Sequence, residues 1–259
     1  MVLLPKEHGA YGQLALPIVT ALSATGVSTP GLFLTASAVA GFLAHEPASI
    51  LLGLRGSRVK RELRKTALRS LVLTGTVAMV AGTMSLFTME SDARRWIAVP
   101  IVPAVLFAMA TIRGRQKSWY GETAASFAFA GVAVPLSIVG GASVATAAAV
   151  AVPFGFLFVS STLAVRTIIL RVRGGGDARA TRNTRACVFA VAIGGAALLG
   201  WLIAIDALPA VVLVASTPGL LTAVVIAARP PQPSRLRAIG WTLVGVSVLT
   251  AGIVIATVR

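Results

Sequence analysis

Long apolar stretches alternate with short polar connections along the whole chain. Nine such stretches can be drawn, and each is near the ~20 residues that an α-helix needs to cross a hydrocarbon core of ~30 Å. The pattern predicts an all-α, polytopic membrane protein with about nine transmembrane helices in one bundle, forming a single transmembrane domain over residues 1–259. The predicted spans are residues 9–27, 30–53, 68–88, 95–112, 121–141, 143–168, 187–205, 209–228 and 238–257.

Lysine and arginine are concentrated on one side of this predicted bundle. Of the 23 cations, 20 lie before the first span or around the connections that follow every second span, and the others are Arg94, Arg95 and Arg259. Translocating cations is disfavoured, so the cation-rich side of a membrane protein is cytoplasmic. The sequence therefore predicts a multi-pass protein of the cytoplasmic membrane, with its N-terminus inside and its C-terminus outside.

The composition agrees with a membrane environment. The chain is 56% hydrophobic and 12% charged, whereas an ordinary soluble domain is ~25% charged. The net charge of +15 would suit nucleic-acid binding, but membrane topology already accounts for where the cations lie. We therefore expect the lipid bilayer and its anionic headgroups as partners, and no nucleic acid.

A few ionisable residues fall where hydrocarbon would surround them. Glu46, preceded by His45, lies inside the second predicted span, and Glu7 and His8 precede the first. These four residues are the catalytic candidates, because two His–carboxylate pairs near one membrane face can supply a metal site or a proton relay. The alternatives are a structural Glu46 bound by an arginine from a neighbouring helix, and a Glu7 that complements a helix dipole.

The basic connections predict an anion-binding mouth on the cytoplasmic side. The planar guanidinium of arginine matches phosphate oxygens, which favours a phosphorylated, lipophilic substrate, although topology alone also explains the number of cations. Asp177 is the only acid in the connection after the sixth span, where it is either a turn residue or, with Glu46, a metal ligand. The predicted phosphate-binding residues are Lys6, Arg55, Arg58, Lys60, Arg61, Arg115, Lys117, Arg166 and Arg171.

Three short segments resemble the YwiC-like family of bacterial membrane proteins. They are Pro-Lys-Glu-His-Gly-Ala at 5–10, Phe-Leu-Ala-His-Glu-Pro at 42–47, and Gly-Arg-Gln-Lys-Ser at 114–118. The resemblance implies a bacterial membrane protein that is similar over most of its length, and it implies no particular reaction.

More distantly, the chain resembles the UbiA superfamily of intramembrane prenyltransferases in helix count, topology and the long polar connections after spans two and six. This resemblance implies an isoprenyl diphosphate bound through Mg²⁺, with His45 and Glu46 at the position where the first Asp-rich motif begins. The chain departs from that motif, since residues 47–50 read Pro-Ala-Ser-Ile, and Asp177 stands alone among arginines.

Taken with the residues, these resemblances favour an integral membrane enzyme that acts on an isoprenyl diphosphate or related lipid phosphate. The reaction would be prenyl transfer, or lyase or cyclase chemistry, with Mg²⁺ as the candidate cofactor and Glu46 as a metal ligand or general base. One alternative is a proton-coupled transporter or flippase with Glu46 as the coupling residue, although no internal repeat is visible. A further alternative is a non-catalytic membrane scaffold.

Overall fold

The computed structural model describes residues 3–5, 8–173 and 178–258, and this part of the chain contains helices and no strand. The predicted all-α fold is therefore confirmed. Two 3₁₀ turns, Arg95–Ile97 and Pro233–Arg235, precede the fifth and the last helix. The helices are α1 (His8–Thr25), α2 (Thr29–Leu51), α3 (Ser57–Thr88), α4 (Ser91–Arg94), α5 (Ala98–Ile112), α6 (Trp119–Gly131), α7 (Ala133–Val139), α8 (Val144–Arg173), α9 (Ala178–Ala204), α10 (Val211–Ala228) and α11 (Leu236–Val258).

Seven helical segments of the described chain are long and apolar enough to cross a membrane, which makes this a multi-pass membrane protein. Helices α1 and α2 also coincide with predicted spans, but they carry Gln13, His45 and Glu46 and do not reach the same apolarity. The count of about nine spans therefore stays a prediction. The seven segments are α3, α4 to α5, α6 to α7, α8, α9, α10 and α11.

Helix α3 extends well beyond the apolar stretch that predicted it. It begins at Ser57, so the basic segment 58–65 is helical rather than an open loop. Lysine, arginine, glutamate and leucine all favour helix, and Arg58 Nε donates to Glu62 Oε1 at 2.8 Å one turn later. The cations of this segment therefore project from a continuous helix.

Two glycines end the helices that lead into basic connections and turn the chain toward the next element. Gly53 follows α2 with φ +81°, and Gly114 follows α5 with φ +69°, a backbone conformation that glycine adopts without steric cost. In both turns the amide after the glycine bonds back to the helix, Leu54 N to Ser49 O and Arg115 N to Ala110 O. This is the Schellman arrangement of a helix C-terminus.

Helix α8 is the centre of the bundle and α3 lies at its edge. In the most apolar stretch of each helix, 72% of residues are buried for α8 and 17% for α3. The side chains of Phe154 and Leu157 on α8 are almost completely buried. Large apolar side chains such as Phe87 and Ile193, 75% and 70% exposed, cover the outside, where a lipid bilayer is the favourable surrounding.

The basic connections meet at one end of the bundle, which we call the cation-rich end. Leu54, after α2, lies beside Gly114, after α5. Arg166 Nη1, near the end of α8, donates to Lys117 O at 3.0 Å. Arg185 Nη2, early in α9, donates to Ala228 O at the end of α10, also at 3.0 Å. These contacts link elements far apart in sequence and bring the cations onto a common face.

Candidate functional site

Four of the predicted site residues fall wholly or partly outside the described structure. Lys6, Glu7 and Asp177 lie outside the described residues. His8 is the first residue of α1, and its side chain is likewise outside them. The predicted metal role of Asp177 and the predicted pairing of Glu7 with His8 therefore stay predictions.

Glu46 is buried at the cation-rich end and forms a two-point ion pair with Arg55. The glutamate is 2% exposed, and its Oε1 and Oε2 accept from Arg55 Nε at 3.1 Å and Arg55 Nη2 at 2.5 Å. The turn at Gly53 reverses the chain, which lets a residue nine positions later reach back to α2. A parallel fork of this kind gives each carboxylate oxygen a hydrogen-bond donor and places a positive charge beside it. The partner of Glu46 is thus an arginine from the following connection.

His45 faces a different neighbour from Glu46. Its half-buried ring lies 5.2 Å from the ring of Phe107 on α5, tilted by 38°. Consecutive residues of a helix point about 100° apart, so the two side chains diverge. The contact with Phe107 attaches α2 to α5 just below the cation-rich end.

The other predicted phosphate-binding cations fall into two groups. Arg58 and Arg171 are exposed and already bonded, the first to Glu62 and the second to Pro230 O at 3.4 Å. The remainder are exposed at the cation-rich end, where an anion in water can reach them. These are Lys60, Arg61, Arg115 and Lys117.

Arg166 lies in a polar cleft between α1, α6, α8 and α11. Its Nη1 donates to Glu122 Oε2 at 2.8 Å, and the two side chains are 25% and 32% exposed. The N-cap of α6, Ser118, accepts from Gly121 N and fixes the turn that presents Glu122. The cleft has a volume of about 230 Å³. Its polar lining consists of Gln13, Glu122, Ser161, Thr162 and Arg166.

Sequence reasoning missed three residues of this cleft, namely Gln13, Ser161 and Thr162. Gln13 is a polar residue inside the first predicted span and was visible in the pattern. Ser161 and Thr162 carried no such signal, because hydroxyl side chains are common in membrane helices, where they bond to the preceding turn. Ser161 departs from that habit, since its buried Oγ has no hydrogen-bond partner among the described residues.

A second cavity lies on the other side of the α6–α8 pair. It is an apolar groove of about 520 Å³ between α5, α6, α8 and α9, and Phe127, Phe156, Gly194 and Leu198 are among its walls. Small residues such as Gly194 leave room where a side chain would otherwise fill the space between helices. The groove suits a hydrocarbon chain and holds almost no polar group.

The described residues do not fit a diphosphate site built on Mg²⁺. Two Mg²⁺ ions require several oxygen ligands, and no three His, Cys, Asp or Glu side chains of the described chain form a metal-binding group. Both oxygens of Glu46 accept hydrogen bonds from Arg55, and the positive charge of that guanidinium would repel a metal ion bound to the same carboxylate.

Fold and site together define a multi-pass helical membrane protein with a cationic face, a buried ion pair beneath it and a small polar cleft beside it. The chain matches the family described as YwiC-like protein over residues 4–137, just over half of its 259 residues. It belongs to that family. The matched region contains Glu46, Arg55 and Glu122, whereas Ser161 and Arg166 lie beyond it. No curated protein and no solved structure is significantly similar to the chain.

Proposed function

We propose that this YwiC-like protein is an intramembrane enzyme that acts on an isoprenyl diphosphate or related lipid phosphate at its cation-rich end. The observation that carries the proposal is the gathering of exposed Lys60, Arg61, Arg115 and Lys117 at one end of an apolar bundle. Fixed cations at the membrane interface favour a ligand whose phosphate lies in water and whose chain lies in lipid.

Arginine and lysine would take the part that metal ions take in Asp-rich sites. When a diphosphate leaves an allylic carbon, negative charge develops on its oxygens, and cations already in place stabilise that charge as it forms. The apolar groove between α5 and α9 supports the proposal because it offers a dry surface to the isoprenyl chain. The class of reaction, prenyl transfer or lyase or cyclase chemistry, rests on the distant resemblance to the UbiA superfamily.

The ion pair gives Glu46 a positioning role in this proposal. In the intact pair the carboxylate of Glu46 is bound by Arg55 Nε and Nη2 and so holds that guanidinium in place. Its effect on the ligand would pass through Arg55, which is partly exposed, at 21% of its side-chain surface.

The test is binding of a radiolabelled long-chain isoprenyl diphosphate to the detergent-purified protein, with Mg²⁺ and with a chelator. We expect binding that the chelator leaves unchanged. The double substitution Arg115→Ala/Lys117→Ala should weaken it at least about tenfold, since hydrogen bonds to charged groups contribute roughly 1.5–3 kcal/mol each. The matched control is Arg94→Ala/Arg95→Ala, which removes two exposed cations that lie outside the cation-rich end. This variant should bind the isoprenyl diphosphate as the wild type does.

Three results would contradict all or part of the proposal. Absence of binding in every condition would leave a membrane protein with a different function, and transport would become the leading hypothesis. If both double variants bind the diphosphate equally weakly, its affinity depends on the net charge of the protein rather than on the cations of the cation-rich end. Binding that requires Mg²⁺ would retain the substrate but overturn capture by arginine and lysine.

A further inference from the structure

The polar cleft between α1, α6, α8 and α11 has no part in the proposed capture of diphosphate. Its volume of about 230 Å³ is well above the ~10–15 Å³ that one water molecule needs. Its walls combine the polar residues Glu122, Ser161 and Arg166 with the aliphatic Val165 and Leu243. A cleft with both kinds of surface in a membrane bundle suits the head and first carbons of an amphiphile.

The charges that line the cleft cancel each other. Arg166 donates to Glu122 at 2.8 Å and also to Lys117 O at 3.0 Å. An anion entering the cleft would have to compete with the Glu122 carboxylate for Arg166, and an amine would be repelled by Arg166 while approaching Glu122. The electrostatics therefore favour a neutral group.

Five buried hydroxyls of the described chain have no hydrogen-bond partner, and Ser161 is the one among them that lines the cleft. The residue is 6% exposed, lines the cleft, and its Oγ has no hydrogen-bond partner among the described residues. Its neighbour Ser160 satisfies its own hydroxyl in the usual way, by donating to Leu157 O at 3.3 Å. A buried hydroxyl without a partner is destabilising, and a hydrogen bond to a ligand in the cleft would remove that cost.

We propose that this cleft binds the hydroxyl-bearing headgroup of a neutral lipid, of the glycerol type. A hydroxyl group both donates and accepts, as do the side chains of Ser161 and Gln13 that line the cleft. The aliphatic side chains of Val165 and Leu243 would contact the carbons next to the headgroup. The site goes beyond the proposed reaction at the cation-rich end and does not depend on it.

The experiment uses photoreactive monoacylglycerol as the probe and the full chain in lipid nanodiscs. Two probes with the same acyl chain accompany it, a lysophosphatidic acid that carries a phosphate and a fatty-acid methyl ester that lacks the hydroxyls. We expect monoacylglycerol to label peptides of α1 or α8 with the highest apparent affinity of the three. Ser161→Ala should weaken that labelling about 3- to 10-fold, the effect of one hydrogen bond.

Ser160→Ala is the matched control, since it removes the adjacent hydroxyl of the same helix and leaves the cleft lining intact. Its labelling should stay within about twofold of the wild type, because its partner is a carbonyl within α8. Glu122→Gln provides the second variant. It keeps the shape of the cleft and leaves Arg166 uncompensated, so the preference should shift toward the lysophosphatidic acid.

Each alternative outcome would overturn the proposal. Tighter labelling by the lysophosphatidic acid in the wild type would make the cleft an anion site. Equal labelling by the methyl ester would reduce it to a contact with lipid chains. Equal effects of Ser160→Ala and Ser161→Ala would show that the buried hydroxyl of Ser161 does not recognise the headgroup.

Discussion

At the scale of single residues, the buried pair of Glu46 and Arg55 makes a sharp prediction about stability. Arg55→Ala would leave a carboxylate that is 2% exposed without its guanidinium, and breaking a buried pair from one side costs about 3–5 kcal/mol. The thermal midpoint of the purified protein should therefore fall by roughly 5–15 °C. A thermal scan of intrinsic fluorescence in one detergent measures the change.

Arg58→Ala is the matched control for that prediction. Arg58 pairs with Glu62, and the two side chains are 86% and 59% exposed, so its removal should change stability by no more than about 0.5 kcal/mol. Adding Glu46→Gln to Arg55→Ala should restore part of the midpoint, because it removes the uncompensated charge. Equal losses from Arg55→Ala and Arg58→Ala would show that Glu46 does not depend on Arg55.

The same residues show what sequence can and cannot predict about a site. Glu46 was identifiable because a carboxylate inside an apolar stretch is rare. The predicted structural alternative was an arginine from a neighbouring helix, whereas Arg55 lies in the connection that follows α2. The identity of that partner depended on the turn at Gly53, since only the reversed chain brings Arg55 back to α2. Ser161 was not predictable, because its significance lies in a hydrogen bond that is missing rather than in its residue type.

At the scale of helices, the close approach of α10 to α8 depends on Gly219. A Cβ at this position would lie 2.7 Å from Leu157 Cδ1 and 3.2 Å from Leu157 Cα, and the backbone atom cannot give way by rotation. Gly219→Ala should therefore separate the two helices and cost about 1–3 kcal/mol through overpacking. The same thermal scan should show a lower midpoint.

Gly245→Ala on α11 tests whether that loss comes from packing. No heavy atom lies within 4 Å of a Cβ placed at Gly245, and alanine is favoured over glycine in a helix by about 0.5–1 kcal/mol. This variant should keep or slightly raise the midpoint. A similar loss at both positions would assign the effect to the helices themselves and not to the contact between α8 and α10.

Hydrophobic pattern predicted where the helices lie better than where they begin. The apolar stretch of the third span placed its start near residue 68, whereas α3 begins at Ser57. The pattern marks the part of a helix that lipid can surround, and a basic helical extension looks the same in sequence as a basic loop. For α6 and α7 the pattern missed a boundary inside a span. The apolar stretch predicted as one span forms two helices, with the break between Gly131 and Ala133.

At the scale of the whole molecule, the cation-rich end predicts how the protein is oriented in the membrane. The contacts between basic connections that bring Arg166 to Lys117 and Arg185 to Ala228 follow from antiparallel neighbouring helices. We therefore propose that this end faces the cytoplasm, in accord with the preference for cations on that side. Whether α1 and α2 cross the membrane decides between nine spans and seven.

Site-directed labelling separates these two topologies in one experiment. The exposed Cys187 is first replaced by serine, and Val27→Cys, Ser57→Cys and Ala207→Cys are then made singly at exposed positions. With nine spans and a cytoplasmic cation-rich end, a membrane-impermeant maleimide should reach positions 27 and 207 in right-side-out vesicles and position 57 only in inverted ones. Each helix that crosses the membrane moves the chain to the other side, so the side on which position 27 reacts distinguishes nine spans from seven. If position 27 reacts only in inverted vesicles, as position 57 does, then α1 and α2 lie on the cytoplasmic side and the protein has seven spans. If position 57 reacts in right-side-out vesicles, the proposed orientation is wrong.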